Sequence, residues 1–333
     1  MNLEVLNSPA AFDHPDWSLL DEASPNRHIF SSPHWHKIWW EEFGAGKELC
    51  VLRVYDEKTI ALVPLMLDLT DAGRRLRFVG GDDLTDYLGP IHADDSILSQ
   101  VADVFIDFLL SDHPGWDYLD AKCLPVPFGF ADRLVDSVAR AGLDFSIDQD
   151  EVTSVIPLPP TFDEYLEWLR PKHRHELRRK LRKFDREVSE KAIHTATDET
   201  LTQDLAAFVN MHRGSHGLKG KFMLPERATF FRHVAQVFQP LDLLSVDFLE
   251  ADGRRIASTF SFPLENTFFA YNSAYVHEAR DISPGLVLVA RLIRRSIERG
   301  FTRFDLLRGR ERYKFDLGAE AIPLHSVVVR NKT

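Results

Sequence analysis

Long apolar runs are missing from this sequence. None of eighteen or more residues occurs in the 333, so a membrane-spanning helix is not expected. The N-terminal stretch MNLEVLNSPAAFDHPDW has neither a basic start nor an apolar core, so a secretory leader is not expected either. Cysteine is scarce. The only two, Cys50 and Cys123, lie far apart and form no CxxC, which excludes a disulfide framework and suits a reducing compartment, with the cytoplasm the expected location. Both sit in apolar, strand-like contexts, where a free thiol serves as a small hydrophobe and not as a nucleophile. No HExxH and no cysteine cluster is present; His212 and His216 are four apart but lack a third ligand, so no metal is expected.

Positive charge is short in the first half. Residues 1–150 hold 11 Lys plus Arg against 27 acids, a net of −16, whereas residues 151–333 hold 29 against 24, a net of +5. An acidic half repels phosphate, and DNA-binding domains are basic as a whole, so DNA is not an expected partner. Against that background stands RPKHRHELRRKLRKFDRE, residues 170–187, with nine Lys and Arg and two His in eighteen positions. Leu177, Leu181, Phe184 and Val188 follow one another at spacings of four, three and four, which predicts a helix with one apolar stripe turned to a core and bases on its other faces. Pro171 suits its first turn. Its charge then serves a junction between two domains and the mouth of a cleft for an anionic cofactor, with RNA as the alternative.

With 44% hydrophobic residues the chain is long enough for two cores, and each half shows helix, strands, helix, strand. In the first, SPHWHKIWWEEFG is a helix started by Ser32 and Pro33 and stopped by Gly44; LCVLRVYD and TIALVPLMLDL are strands joined at DEKT. RRLRFVGG is a third strand, SILSQVADVFIDFLLSD a helix, GWDYLDAKCL a strand and ADRLVDSVARAG a helix closed by Gly142. In the second, helices at TLTQDLAAFVNMHRGS and around ERATFFRHVAQVF precede the strands LLSVDFLE, RRIASTFSFP and TFFAYNSAY. These form a meander turning at ADG and LEN. A helix at SPGLVLVARLIRRSIERG and a strand at TRFDLLRG complete the half.

The stretch LEADGRRIASTFSF…NTFFAYNSAYVHEARDISPGLVLVARLIRRSIERGFTRFDLLRGRERYKFDLGA resembles the CelD/BcsL-type, cellulose-biosynthesis-associated branch of the GNAT acetyltransferase superfamily. FSSPHWHKIWWEEFG, ALVPL, LRFVGGDDLTDYLGP and FDEYLEWLRPKHRHELRRKLRKFDRE extend the resemblance over nearly the whole chain. It implies an α/β (α+β) fold of two tandem GNAT-like domains, as in Fem-type aminoacyl transferases, each a mixed, mainly antiparallel sheet flanked by helices. The expected division is an N-terminal GNAT-like domain at 1–150 and an acyltransferase domain at 151–333 that begins with the basic helix. The implied activity is transfer of an acyl group, acetyl first among them, from acyl-CoA to an amine on a small molecule, sugar or peptide. Two alternatives stand beside it: a catalytically degenerate GNAT pair serving as a scaffold, and a Fem-like transferase that uses aminoacyl-tRNA.

GNAT domains hold the CoA pyrophosphate on backbone amides at a helix start, through a pattern close to R-x-x-G-x-G. RDISPGL offers Arg280, Ser283, Gly285 and Leu286 there, with Ser283 in place of the first glycine and Pro284 lacking an N–H. The alternative reading is an ordinary helix start, with Ser283 as N-cap and Pro284 at N1. YKFDLG resembles the C-terminal F-K-x-x-F-G of Fem-type enzymes, which puts Lys314 in the place of the lysine at their transfer site; Leu317 replaces the second aromatic. A fixed cation there would stabilise developing negative charge. Asp305 is the candidate base for the amine, unless it faces solvent or pairs with Arg308, and Tyr313 or Tyr275 is the candidate acid for the thiolate. Arg308 and His212 are placed as substrate contacts. In VGGDDLTDYLGP, Asp82, Asp83, Asp86 and Tyr87 would attract a cationic acceptor, or else form a polar turn.

Overall fold

The computed structural model describes residues 1–81, 83–111, 115–215 and 218–331. Asp82 and His216, which the sequence singled out, lie outside the described residues. The chain divides into two compact units. One holds Met1–Val152 with Ile322–Thr333, and the other holds Thr153–Ala321. A division at 150/151 puts residues 322–333 with the second half, whereas the compact units put them with the first.

In the first unit the elements are β1 (Asn2–Leu6), α1 (Pro15–Ala23), α2 (Pro33–Phe43), β2 (Glu48–Tyr55), β3 (Thr59–Thr70), β4 (Gly73–Phe78) and β5 (Ile91–His92). They continue with α3 (Leu98–Leu110), β6 (Tyr118–Pro125), α4 (Phe130–Arg140) and β7 (Asp144–Pro157), along which the chain enters the second unit. There follow α5 (Phe162–Trp168), α6 (Pro171–Glu187), β8 (Lys191–Thr195), α7 (Leu201–Arg213), α8 (Leu218–Phe222) and α9 (Pro225–Phe238). The meander β9 (Ser245–Ala251), β10 (Arg254–Leu264) and β11 (Thr267–Tyr275) comes next, then α10 (Pro284–Glu298), β12 (Arg303–Arg308), α11 (Arg312–Asp316) and β13 (Glu320–Arg330).

The two units repeat one plan. In the first, β1, β2, β3 and β4 are antiparallel neighbours, β6 lies parallel to β4, and β13 pairs antiparallel with β6. In the second, β8, β9, β10 and β11 are antiparallel, β12 lies parallel to β11, and residues 153–157 of β7 pair antiparallel with β12. The closing strand is exchanged: β7 follows the first unit in sequence yet ends the second unit's sheet, and β13 does the reverse. The result is a mixed α/β architecture of mainly antiparallel sheets flanked by helices.

Local signals place the elements as the physics requires. Ser32 caps α2, its Oγ accepting the Trp35 N–H at 3.2 Å, and Pro33 opens the first turn. Gly44 ends that helix, and a Cβ there would meet the Trp40 carbonyl oxygen at 2.5 Å. The stripe of α6 is as patterned: Leu177, Phe184 and Val188 are buried in the core beneath α10, and Leu181 packs against it. Burying Leu177 and Phe184 contributes roughly 2 kcal/mol each. The basic faces of α6 are tied locally. Arg179 forks onto Glu176 at 2.8 Å, Lys183 donates to the Asp281 carbonyl at 2.8 Å, and Arg291 lies 5.0 Å from the Phe184 ring centre.

Two histidines of the first unit are buried and neutral. Burial pushes His28 down to about 3 and His36 down to about 4. Because the unfolded chain takes up these protons near pH 6.5 and the folded one does not, the stability present above that pH falls as pH drops toward the folded values. Each group costs about 1.4 kcal/mol per pH unit across that window. Denaturant titrations at pH 7 and pH 5 are expected to show a lower midpoint at pH 5, and His28→Gln with His36→Gln should flatten the dependence. A pH-independent midpoint between 7 and 5 counts against this.

Candidate functional site

The site is where β11 and β12 part. They are paired over three positions only, from Thr267 opposite Arg303 to Phe269 opposite Asp305, yet β11 runs on to Tyr275 and β12 to Arg308. A cleft of about 280 Å3 opens between their diverging ends and the start of α10. Ser273 and Tyr275 of β11 form one wall, the first turn of α10 with Gly285, Leu286 and Val289 another, and Tyr313 of α11 closes it. Lys180 of α6 and Arg280 reach the rim.

The first turn of α10 presents anion-binding groups. Pro284 has no N–H, the Ser283 N–H is taken by the Arg280 carbonyl at 2.9 Å, and the Val287 N–H by the Ser283 carbonyl at 3.0 Å. Gly285 and Leu286 are left with amides that have no partner inside the helix, at its positive end. Ser283 occupies the N-cap position, as the alternative reading held, but its side chain makes no capping bond and its backbone is left-handed, with φ 52° and ψ 51°. That conformation is the one glycine adopts without steric cost, which explains why the superfamily pattern has glycine there. Gly285 keeps the cleft open: a Cβ on it would touch Tyr275 Cδ1 at 3.4 Å, and anything larger would enter the cavity.

Tyr275 is 39% exposed at the mouth. The phenol of Tyr313 is largely enclosed, and desolvation, helped by the nearby Glu311 carboxylate, raises its pKa above the usual tyrosine range. It therefore stays protonated throughout the neutral range.

Asp305 and Lys314 are adjacent to the cleft but do not line it. Asp305 is 1% exposed, not turned to solvent, and its Oδ1 accepts the Leu307 N–H at 2.8 Å. Lys314 is 3% exposed; its ammonium donates to the carbonyls of Leu307 at 3.2 Å and Arg308 at 2.7 Å and pairs with Glu311 at 3.1 Å. Leu307 has a φ of 57° and lies in the register shift between Asp305 and Arg308. The two side chains thus clamp both sides of the bend that turns β12 away from β11. Lys314→Ala would leave buried carbonyls without their charged donor, and a loss of about 3 kcal/mol in denaturant unfolding is expected. A loss below roughly 1 kcal/mol would show that the bend stands without it.

The remaining candidates lie elsewhere. His212 is buried in α7 between the rings of Phe208 and Phe222, at 6.1 and 5.5 Å. Asp86 and Tyr87 belong to the first unit and are buried; Tyr87 packs against His28, Phe30 and Phe128. Arg308 lends its carbonyl to Lys314. Cys50 and Cys123 are free and buried, and burial pushes the Cys50 thiol up to about 12. Among the described residues no group of three His, Cys, Asp or Glu is placed to hold a metal ion, and no helix is long and apolar enough to cross a membrane. Sequence reasoning missed Ser273 and Val289. Their signal was the alternation of β11 and the i, i+4 spacing from Gly285.

No curated protein sequence matches the chain. Solved structures do match in fold. FemX is 10% identical, with a TM-score of 0.66 over 98% of this chain and 97% of that one. A conserved protein of unknown function from Bacteroides thetaiotaomicron is 12% identical, with 0.61 over 99% and 100%. L-PGS from Bacillus licheniformis is 14% identical, with 0.58 over 99% and 94%. Residues 171–315, which contain α6, the meander, the parting strands and α10, match the family described as the acetyltransferase (GNAT) domain.

Proposed function

We propose that the protein is an N-acyltransferase that moves an acyl group, acetyl first among the candidates, from acyl-CoA to an amine. The observation that carries this is the cleft at the parting of β11 and β12, floored by the free amides of Gly285 and Leu286. Its aliphatic wall suits a pantetheine arm and its amide pair a phosphate. The CelD/BcsL-type branch is the placement we favour within the superfamily, from SPGL and FDLLRG, with each compact unit a GNAT-like domain.

Transfer is direct. The amine nitrogen attacks the thioester carbon, the C–S bond breaks, and the sulfur takes a proton. Tyr313 is the group we assign to donate that proton. Tyr275, at the open mouth, lines the path of the acceptor. No carboxylate lines the cleft among the described residues, so the amine sheds its proton to solvent. Asp305 and Lys314 act by position, holding the bend that keeps the cleft open. Calorimetric titration with acetyl-CoA tests the reading: micromolar binding supports it, and absence of binding to any acyl-CoA would leave the degenerate scaffold standing. A second reading, aminoacyl-tRNA as donor, is favoured by the exposed Arg178, Arg179 and Arg182 on α6. Its mark would be a steep salt dependence of tRNA binding that disappears when the three are neutralised.

A further inference from the structure

Beneath α10 the sheet of the second unit carries a row of polar side chains where apolar ones would pack. Asp247 of β9, Thr259 of β10 and Ser273 of β11 stand directly opposite one another on neighbouring strands, and Thr195 of β8 stands opposite Asp247. Opposed residues share one face of a sheet. Here it is the α10 face: Arg295 of α10 reaches Asp247 at 2.7 Å, whereas the alternate residues Ser258 and Phe260 point the other way, onto Met211 and Phe208 of α7. The row therefore runs from Ser273, in the wall of the cleft, to Thr195, which is exposed. Ser245 and Ser261, opposite each other two residues along, lie beside it on the same face.

The outer half of the row is tied together. Asp247 is fully buried; its Oδ1 accepts from Thr195 Oγ1 at 2.6 Å and pairs with Arg295, and its Oδ2 accepts from Ser245 Oγ at 2.8 Å. Arg295 also donates to Thr195 Oγ1 at 3.0 Å and to Ser245 Oγ at 3.3 Å. The inner half is different. Thr259 Oγ1 and Ser261 Oγ are buried, their residues 1% and 0% exposed, and find no hydrogen-bond partner among the described residues. A buried ion pair costs desolvation that apolar residues in its place would avoid, and a buried hydroxyl without a partner adds to that cost. Opposed side chains are about 5 Å apart at Cβ, a gap that one water closes by bonding to both. With such a water on either side, Thr259 joins Ser273 to Asp247.

We propose that this row carries the acceptor's proton out of the cleft. The role rests on the acyl-transfer reading. Once the neutral amine has attacked the thioester carbon, its nitrogen bears one proton too many. Ser273 takes that proton while passing its own to the water beside Thr259, Thr259 does the same one step on, Asp247 draws the charge along, and Thr195 releases a proton to solvent. Each hydroxyl accepts one proton and gives one up, so the row is regenerated; the thiolate is protonated by Tyr313, which recovers its proton from solvent. Ser273 is the member that meets the acceptor. Thr259 acts through it, as a positioning residue.

Thr259→Val keeps the shape of the side chain and deletes the hydroxyl. In the full chain, thiol release from acetyl-CoA is measured with an alkylamine, an amino sugar and a lysyl peptide, and the fastest acceptor is kept. Thr259→Val is expected to lower kcat about tenfold at unchanged acetyl-CoA affinity. It should also raise the ratio of kcat in H2O to kcat in D2O above the wild-type ratio, because proton exit then limits the rate; a purely structural role would leave that ratio alone. Thr259→Ser should restore both. Ser261→Ala deletes one oxygen and adds no bulk, so it should show a smaller loss of the same kind, and it serves if circular dichroism finds Thr259→Val unfolded. A crystal structure of the chain is expected to show an ordered water on Thr259 Oγ1. A dry Thr259 overturns the relay whatever the turnover. Wild-type rates and isotope ratios in the variants lacking a hydroxyl overturn it while leaving acyl transfer standing, and a wild type that binds no acyl-CoA removes the acyl-transfer reading and the relay with it.

Discussion

Gly285→Trp is expected to abolish acyl-CoA binding, with turnover falling by roughly a thousandfold or more, while the protein stays folded. An indole on the first turn of α10 would stand in the cleft against Tyr275, since the added Cβ alone already reaches van der Waals contact with that ring at 3.4 Å. It would occupy the cleft of about 280 Å3 and cover the amides to which we assign the donor's phosphate. Losing both the anion contacts and the positioning of the reacting carbon removes several kcal/mol of transition-state binding. Gly285→Ala is the matched control. A methyl fits at 3.4 Å, and Gly285 lies in helical backbone where alanine is favoured, so binding should survive with a change of a few fold at most. Titration of both variants with acetyl-CoA, beside thermal unfolding, checks the pair. If the tryptophan variant binds as well as wild type, the cleft is not where the donor sits.

What the sequence disclosed was what depends on local chemistry and on short periods. The apolar stripe of α6, the Ser32–Pro33 start and Gly44 stop of α2, and the three-strand meander are each written in a few neighbouring residues, and the structure places them there. RDISPGL also located the start of α10 and brought Arg280, Ser283, Gly285 and Leu286 to one cleft with Tyr275 and Tyr313. The exchange of β7 and β13 was not legible. A strand such as SVIPL or SVVVR has the same alternation whichever sheet it closes, and partner choice is settled by register with residues more than a hundred positions away. The division of labour between lining and supporting residues was hidden for a related reason. Asp305, Lys314 and Tyr313 lie within ten residues of one another, and only the bend at Leu307, with its φ of 57°, turns the first two into its clamp while Tyr313 faces the cavity.

Tyr313→Phe should lower kcat by about a hundredfold with little effect on acetyl-CoA affinity, the size expected for loss of a positioned proton donor. The substitution removes one oxygen from a ring that keeps its packing, so the cleft retains its shape and the binding titration should be superimposable on wild type. The phenol is suited to the role by the same desolvation that raises its pKa. A thiolate leaving into that enclosed space loses solvation too, which raises its own proton affinity and keeps the two groups matched. The sign of the pH dependence follows. Because the donor must be protonated and its pKa lies above the usual tyrosine value, wild-type kcat should show no alkaline decline from this group through pH 9. The rise of kcat with pH should instead track the free-base fraction of the acceptor amine, since no carboxylate among the described residues lines the cleft to take its proton. In the phenylalanine variant that rise should persist at a lower level, with water as the donor. Two results would remove Tyr313 from the reaction: kcat unchanged on losing the hydroxyl, or an equal loss in Tyr275→Phe but not in Tyr313→Phe, which would hand the proton to the residue at the mouth.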